Sequence, residues 1–130
     1  MRRMMIGTLC LLCITFSCKK EVKTEELVLS AAKQYYDHLV GGRYQEFLAG
    51  IADADSLPPA YREQLLTNAK QFLEQQNKAH KGIKEIQTIK AVIDTAHHQA
   101  QAFLLLCFSD SIKEEIVVPM TERDGEWRMN

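Results

Sequence analysis

At Gly82 the chain changes period: before it, apolar residues recur every three or four positions, and after it they recur every second one. The first spacing buries a stripe of a helix and the second buries one face of a strand, so the two halves cannot share a local structure. The clearest run is His98, Ala100, Ala102, Leu104, Leu106 and Phe108, which places all of these residues on one face of one strand.

Before Gly82, Thr24 is positioned to cap a helix, with Glu25 and Glu26 complementing the dipole of its first turn. Leu27 or Val28, Ala31, Ala32, Tyr35, Tyr36 and Leu39 form its stripe, and Gly41-Gly42 stops it. Tyr44, Phe47, Leu48 and Ile51 follow the i, i+3, i+4, i+7 spacing of a shorter second helix. Asp55 or Ser56 is placed to cap a third, with Pro58 and Pro59 in its first turn and Tyr61, Leu65, Ala69, Phe72 and Leu73 along its buried side.

After Gly82, a strand over residues 84–94 carries Ile89, Ala91 and Ile93 in one phase and Ile86 in the other, which predicts a bulge or an irregular start. Residues 95–97 connect it to the strand ending at Phe108. Ser109-Asp110-Ser111 then turns into a third strand bearing Ile112, Ile116, Val118 and Met120, and Asp124-Gly125 is a tight hairpin signal leading to a fourth over residues 126–130. Pairing Phe108 with Ile112 sets Leu104 opposite Ile116, and pairing Arg123 with Glu126 sets Met120 opposite Met129. Both turns thus gather apolar residues on one face, although Pro119 in a strand paired on both sides calls for a bulge. Helices first and an antiparallel meander second give an α+β fold, with the helices packed on one face of a curved sheet.

The first residues follow a different grammar. Arg2 and Arg3 precede a 13-residue apolar run from Met4 to Phe16, closed by the small residue Ser17. As a helix that run would span about 20 Å, short of a hydrocarbon core of roughly 30 Å. It therefore predicts a cleaved signal peptide over residues 1–17 and no transmembrane helix. Thr15-Phe16-Ser17-Cys18 resembles the lipobox of bacterial lipoproteins, with Thr15 where that family usually carries an aliphatic residue. The resemblance implies that Cys18 is diacylated and becomes the mature N-terminus; the other reading is an ordinary small-x-small cleavage site that a cysteine merely follows. Two acyl chains anchor a protein stably where one does not. The expected organisation is a lipidated cysteine and tether over residues 18–23 and a single domain over residues 24–130. No Asp follows Cys18, which in such lipoproteins points to the cell envelope at the outer membrane, facing the periplasm.

Cys10 and Cys13 would leave with the leader, so Cys107 is the one thiol beyond Cys18 and no disulfide framework is expected. The formal net charge of −1 becomes −3 once Arg2 and Arg3 are removed, which offers no basic field for nucleic acid. His97 and His98 fall on opposite faces of a strand, and neither His38 nor His80 has a histidine four residues away. Zinc-ligand spacing is absent, and neither a metal nor an organic cofactor is expected.

The order of elements, the Gly42-x-Tyr44 break and the closing Asp124-Gly125-Glu126-Trp127-Arg128 resemble the nuclear transport factor two-like superfamily with its cystatin-like cone. More narrowly they are similar to its small bacterial lipoproteins of unknown function. The resemblance implies a pocket in the cone that holds either an acid-base pair or only apolar side chains. Tyr35, Tyr61, Phe72, Leu104, Val118 and Trp127 are the residues expected to line it. Three groups are candidates for proton transfer: Glu114, the one acid in the inward phase of the third strand, and His98 with Glu122, which the register brings together near Trp127. For each, the solvated surface group is the favoured alternative reading. Glu114 lies about 26 Å along the sheet from His98, so those two cannot act as one dyad.

Phe103, Leu105 and Cys107 form a second apolar set on the other face of the same central strand. A solvated face does not normally look like this, so it is covered either by a segment of the same chain or by the sheet of a second copy in a homodimer. Two functions remain. One is a non-enzymatic lipoprotein domain that binds a small apolar ligand or another envelope protein. The other is an acid-base enzyme, isomerase-like or dehydratase-like, acting on a small hydrophobic substrate.

Overall fold

The computed structural model describes residues 23–130. The apolar run of the leader, Cys10, Cys13, Cys18 and nearly all of the expected tether lie outside the described residues. Helix α1 covers residues 23–40, α2 Tyr44–Ala49 and α3 Pro59–His80, with a short 3-10 turn at Ala54–Ser56. The strands follow as β1 Ile83–Asp94, β2 Gln99–Phe108, β3 Lys113–Arg123 and β4 Glu126–Met129, forming one antiparallel sheet in the order β1-β2-β3-β4.

The alternation of β2 organises the core. Ala100, Ala102, Leu104, Leu106 and Phe108 are all buried, and with Val28 and Ala32 of α1, Ile86, Val118, Met120, Trp127 and Met129 they form one cluster. Leu104 stands opposite Ile116 and Met120 opposite Met129, the registers that the two turns dictate. In the first turn the Phe108 amide donates to the Ile112 carbonyl at 2.9 Å and Ser111 takes a positive φ of 74°. In the second, Asp124 and Gly125 both have positive φ, 54° and 80°, which twists the hairpin in the same sense as its strands.

β1 has two register shifts, one at Lys84 at its start and one at Ile89. Thr88 pairs with Leu104 and Lys90 with Phe103, so Ile89 has no partner of its own. This shifts the phase, so that Ile86 before the bulge and Ala91 and Ile93 after it face the same side, while Ile89 is left 45% exposed. Pairing Ile89 with the inward set, as the simple alternation suggests, is therefore corrected by the extra residue itself.

Four local expectations are also corrected. Residue 23 is already helical, so Thr24 lies within α1 and does not cap it; Lys23, Glu25 and Glu26 are good helix formers that let the helix run further. Helix α3 is capped by Pro58 with no side-chain bond, and Asp55 and Ser56 belong to the 3-10 turn. Two consecutive prolines remove two of the donors a side-chain cap would serve and hold Leu57 and Pro58 extended, with ψ of 134° and 146°. Pro119 needs no bulge, since β2 and β3 pair without interruption from Gln99–Thr121 to Cys107–Lys113. The Asn130 amide donates to its carbonyl at 3.0 Å, so the nitrogen of Pro119 also faces the β4 side, just beyond the last residue of β4, and takes no donor from the β2 ladder. Finally, β2 begins at Gln99, because His98 has a φ of 53° and belongs to the turn.

The sheet edges are covered from within the chain. Residues 50–52 run beside β4, with the Ala52 amide donating to Met129 at 2.7 Å and the Met129 amide to Gly50 at 2.8 Å. On the other edge the Ala91 amide donates to the Glu25 carboxylate of α1 at 3.2 Å.

Candidate functional site

The cone is filled. Leu104 is fully buried, Val118 is 3% exposed and Trp127 8%, all within the core cluster, so none of them faces an open cavity. Tyr35 sends its phenol across to the Trp127 carbonyl at 2.7 Å, tying α1 to β4. Burial pushes this hydroxyl up, Arg128 opposes that and Glu126 adds to it. Tyr61 is 53% exposed on the outside of α3. Of the residues expected in the cone, Phe72 borders a cavity, and that cavity lies among the helices.

This second space measures about 220 Å³ and is lined by Tyr36 and Leu39 of α1, Phe47 and Leu48 of α2, Ile51, and Leu65, Asn68, Ala69 and Phe72 of α3. Tyr36 and Phe47 meet edge to face at 5.6 Å and 80°, a favourable aromatic geometry that sets one wall. Ala69 leaves room in the opposite wall where a larger residue would close it. The polar members of the lining are Asn68 and Tyr36. The Asn68 side-chain oxygen accepts from Gln64 at 2.9 Å, which leaves its amino group as the available donor. Burial raises the Tyr36 hydroxyl above its ordinary value, so it stays protonated at neutral pH. A larger hollow of about 360 Å³ on α3 is bordered by residues of that helix alone, Glu63 and Lys70 among them, and has no opposing wall.

The sequence treats each helix stripe as plain core, which is why the cavity escapes it. A small residue, Ala69, between Leu65 and Phe72 is the signal that was present.

The three acid-base candidates are placed as follows. His98 Nδ1 lies 3.2 Å from Glu122 Oε1, and the Thr121 hydroxyl and Glu122 amide both bond to the His98 carbonyl. Their side chains are 70% and 35% exposed, on the β1–β2 turn and the end of β3, and neither borders the helix-lined cavity. Glu114 pairs with Leu106 at the opposite end of β2 and is exposed. A neighbouring pair, Asp94 and His97, is also in solvent, with 2.8 Å between Oδ2 and Nδ1; this hydrogen bond holds the Asp94 carboxyl below its usual value. Among the described residues no group of three or more His, Cys, Asp or Glu is arranged to hold a metal ion, and no helix is long and apolar enough to cross a membrane.

No protein-family model matches this chain and no curated protein matches it. Among solved structures, a Campylobacter jejuni protein described as a candidate NTF2-like transpeptidase superposes with a TM-score of 0.62. The alignment covers 75% of this chain and 92% of that one, at 16% identity. The fold is NTF2-like. Three helices on a four-stranded antiparallel sheet account for the NTF2-like domain, and in this chain an apolar cleft opens among the helices while a further hollow of about 340 Å³ lies at the end of the sheet beside Ala100 and Met120.

Proposed function

We propose that the chain is a membrane-anchored binding protein of the cell envelope whose NTF2-like domain holds a small, uncharged, largely apolar ligand between its helices. The observation that carries this reading is the cavity of about 220 Å³, whose lining includes no charged side chain. An apolar cavity of about 150 Å³ accepts a benzene-sized molecule, so this one suits a single ring with a short substituent or a short branched aliphatic group. An ionised ligand would lose its hydration there with no opposite charge to compensate. The amino group of Asn68 and the protonated phenol of Tyr36 suit a single hydrogen-bonding end on the ligand.

The anchor rests on the sequence: a leader over residues 1–17, a lipobox-like Thr15-Phe16-Ser17-Cys18 and a domain starting within a few residues of Cys18. It places the domain at a membrane surface, at the outer membrane facing the periplasm. The transpeptidase activity in the name of the Campylobacter protein is not extended to this chain, because likeness at 16% identity concerns the fold. Acid-base catalysis by His98 and Glu122 is the weaker reading. The pair is in contact, but His98 is 70% exposed on a turn and neither side chain lines the neighbouring hollow bordered by Asp94, Gln99 and Met120.

Native mass spectrometry of the detergent-extracted protein, followed by titration with indole, tests both halves. The expected result is a diacylglycerol mass on Cys18 and saturable indole binding that Ala69→Leu abolishes without lowering the melting temperature. An unmodified Cys18 in membranes removes the anchor, and indole binding that survives Ala69→Leu removes the site.

A further inference from the structure

Six large apolar side chains stand exposed among the described residues, and three of them, Leu27 at 53%, Ile89 at 45% and Val92 at 53%, belong to the place where α1 begins beside β1. There the Ala91 amide, on the edge of the sheet, donates to the Glu25 carboxylate and ties the two elements together. Leu27 is two residues beyond Glu25, about 3 Å along the helix axis, and Ile89 and Val92 stand within about 7 Å of Ala91 along the strand. Ala91 and Ile93 pack against the core, so Val92 between them turns to the other face of the sheet. Apolar surface thus runs from the first turns of α1 around the β1 edge.

The chain before α1 selects what meets this strip. Lys23 follows Cys18 by five residues, which reach at most about 18 Å however they are arranged. A domain held that closely keeps the start of α1, and the β1 edge beside it, nearest the bilayer. We propose that Leu27, Ile89 and Val92 enter the headgroup region of the membrane that carries the chain, so that the domain lies on its β1 edge, a placement that rests on the anchor proposed for Cys18.

Three half-exposed side chains are too few to recruit a free domain to lipid, where binding scales with the apolar area inserted. Behind an anchor the contact becomes intramolecular, at an effective concentration in the millimolar range, and a small apolar strip suffices. Charge near the strip is already engaged. Glu25 accepts from Ala91, the Lys90 ammonium lies over the Phe103 ring at 5.0 Å, toward the middle of the sheet, and Asp94 is bonded to His97. Lys23 and Glu26, both exposed in the first turn of α1, have opposite signs. The contact is therefore apolar and insensitive to salt.

Depth-dependent quenching tests the placement. The full chain, purified with its acyl chains in a Cys107→Ala background, is reconstituted into vesicles of phosphatidylethanolamine and phosphatidylglycerol. Mass spectrometry verifies the acyl chains on Cys18 and circular dichroism the fold. A nitrobenzoxadiazole probe is attached through Leu27→Cys, Ile89→Cys or Tyr61→Cys, and lipid bearing a nitroxide high on its acyl chain is the quencher. Tyr61 is the control, because its neighbour Arg62 bonds to the Ala54 carbonyl on the β4 side of the domain. Quenching at residues 27 and 89 is expected to exceed that at 61 by at least about threefold, with no change in about 0.5 M salt. Leu27→Glu is expected to lower quenching of the probe at residue 89 by about half or more, since a charge opposes insertion.

Equal quenching at all three sites on acylated protein would overturn the placement and leave the anchor standing. An unmodified Cys18 would overturn both together. Edge probes shielded from water yet not quenched by lipid would assign the strip to another protein surface and overturn the placement alone.

Discussion

The Tyr35 hydroxyl in α1 donates to the Trp127 carbonyl in β4 across 2.7 Å, joining the first helix to the last strand. The same ring lies against Gly50, where an added Cβ would fall 2.6 Å from one of its ring carbons. One phenol therefore fixes both the strand and the residues that run beside it.

Tyr35→Phe keeps the ring and removes only this bond, with an expected loss of about 0.5–1.5 kcal/mol in urea unfolding. Gly50→Ala forces the anchored ring aside and is expected to cost about 1–3 kcal/mol. Combined, the two changes should cost less than their sum, since a ring released from Trp127 can yield to the new methyl group.

Leu104 is fully buried at the centre of the filled cone. Leu104→Ala is expected to cost about 2–5 kcal/mol, read as a lower denaturant midpoint with an unchanged slope. Indole binding among the helices should persist, because Leu104 does not border that cavity.

At Gly125 an added Cβ meets nothing within 4 Å, so any cost of substitution is conformational. With φ at 80°, Gly125→Ala is expected to lose about 1–2 kcal/mol in thermal or urea unfolding. Gly125→Asn should lose less, since asparagine tolerates the left-handed region better than alanine.

Acid stability should report on Asp110. Partial burial pushes its carboxyl up, but the Ile112 amide at 3.1 Å and the His80 ring at 3.1 Å outweigh that, and the group sits below its ordinary value of 3.8. A carboxyl lowered in the folded state stabilises above the unfolded value and loses that contribution as pH falls through the folded one. Asp110→Asn should therefore flatten the decline of stability below about pH 4. The decline in the parent protein should be steeper when both are compared by urea unfolding.

The sheet was the most legible part of the sequence, because two short turns leave little freedom. Once Phe108 faces Ile112 and Arg123 faces Glu126, every later pair follows by counting, including Leu104 with Ile116 and Met120 with Met129. Counting also brings Glu122 beside the His98 turn, and the two are bonded there. It failed where one residue stands outside the count, as Ile89 does, or where a backbone turns back, as at His98. Pro119 was misjudged because a missing donor matters only on the side it faces. The helices were legible as stripes, but how closely three stripes close over one another depends on their tilt and spacing. Periodicity carries no such information, so the space beside Ala69 stayed hidden.

The unpartnered residue at Ile89 makes β1 unequal along its length in how it tolerates length changes. Losing one of the residues paired in the ladder would invert everything beyond the cut, sending Lys90 or Glu85 toward the oily interior. Losing Ile89 would merely leave a regular ladder, with Ile86 and Ile93 still pointing inward. The strand thus contains two spare positions, Lys84 near its start and Ile89 near its middle, and a protein shortened at Ile89 should keep its architecture while giving up some local coiling.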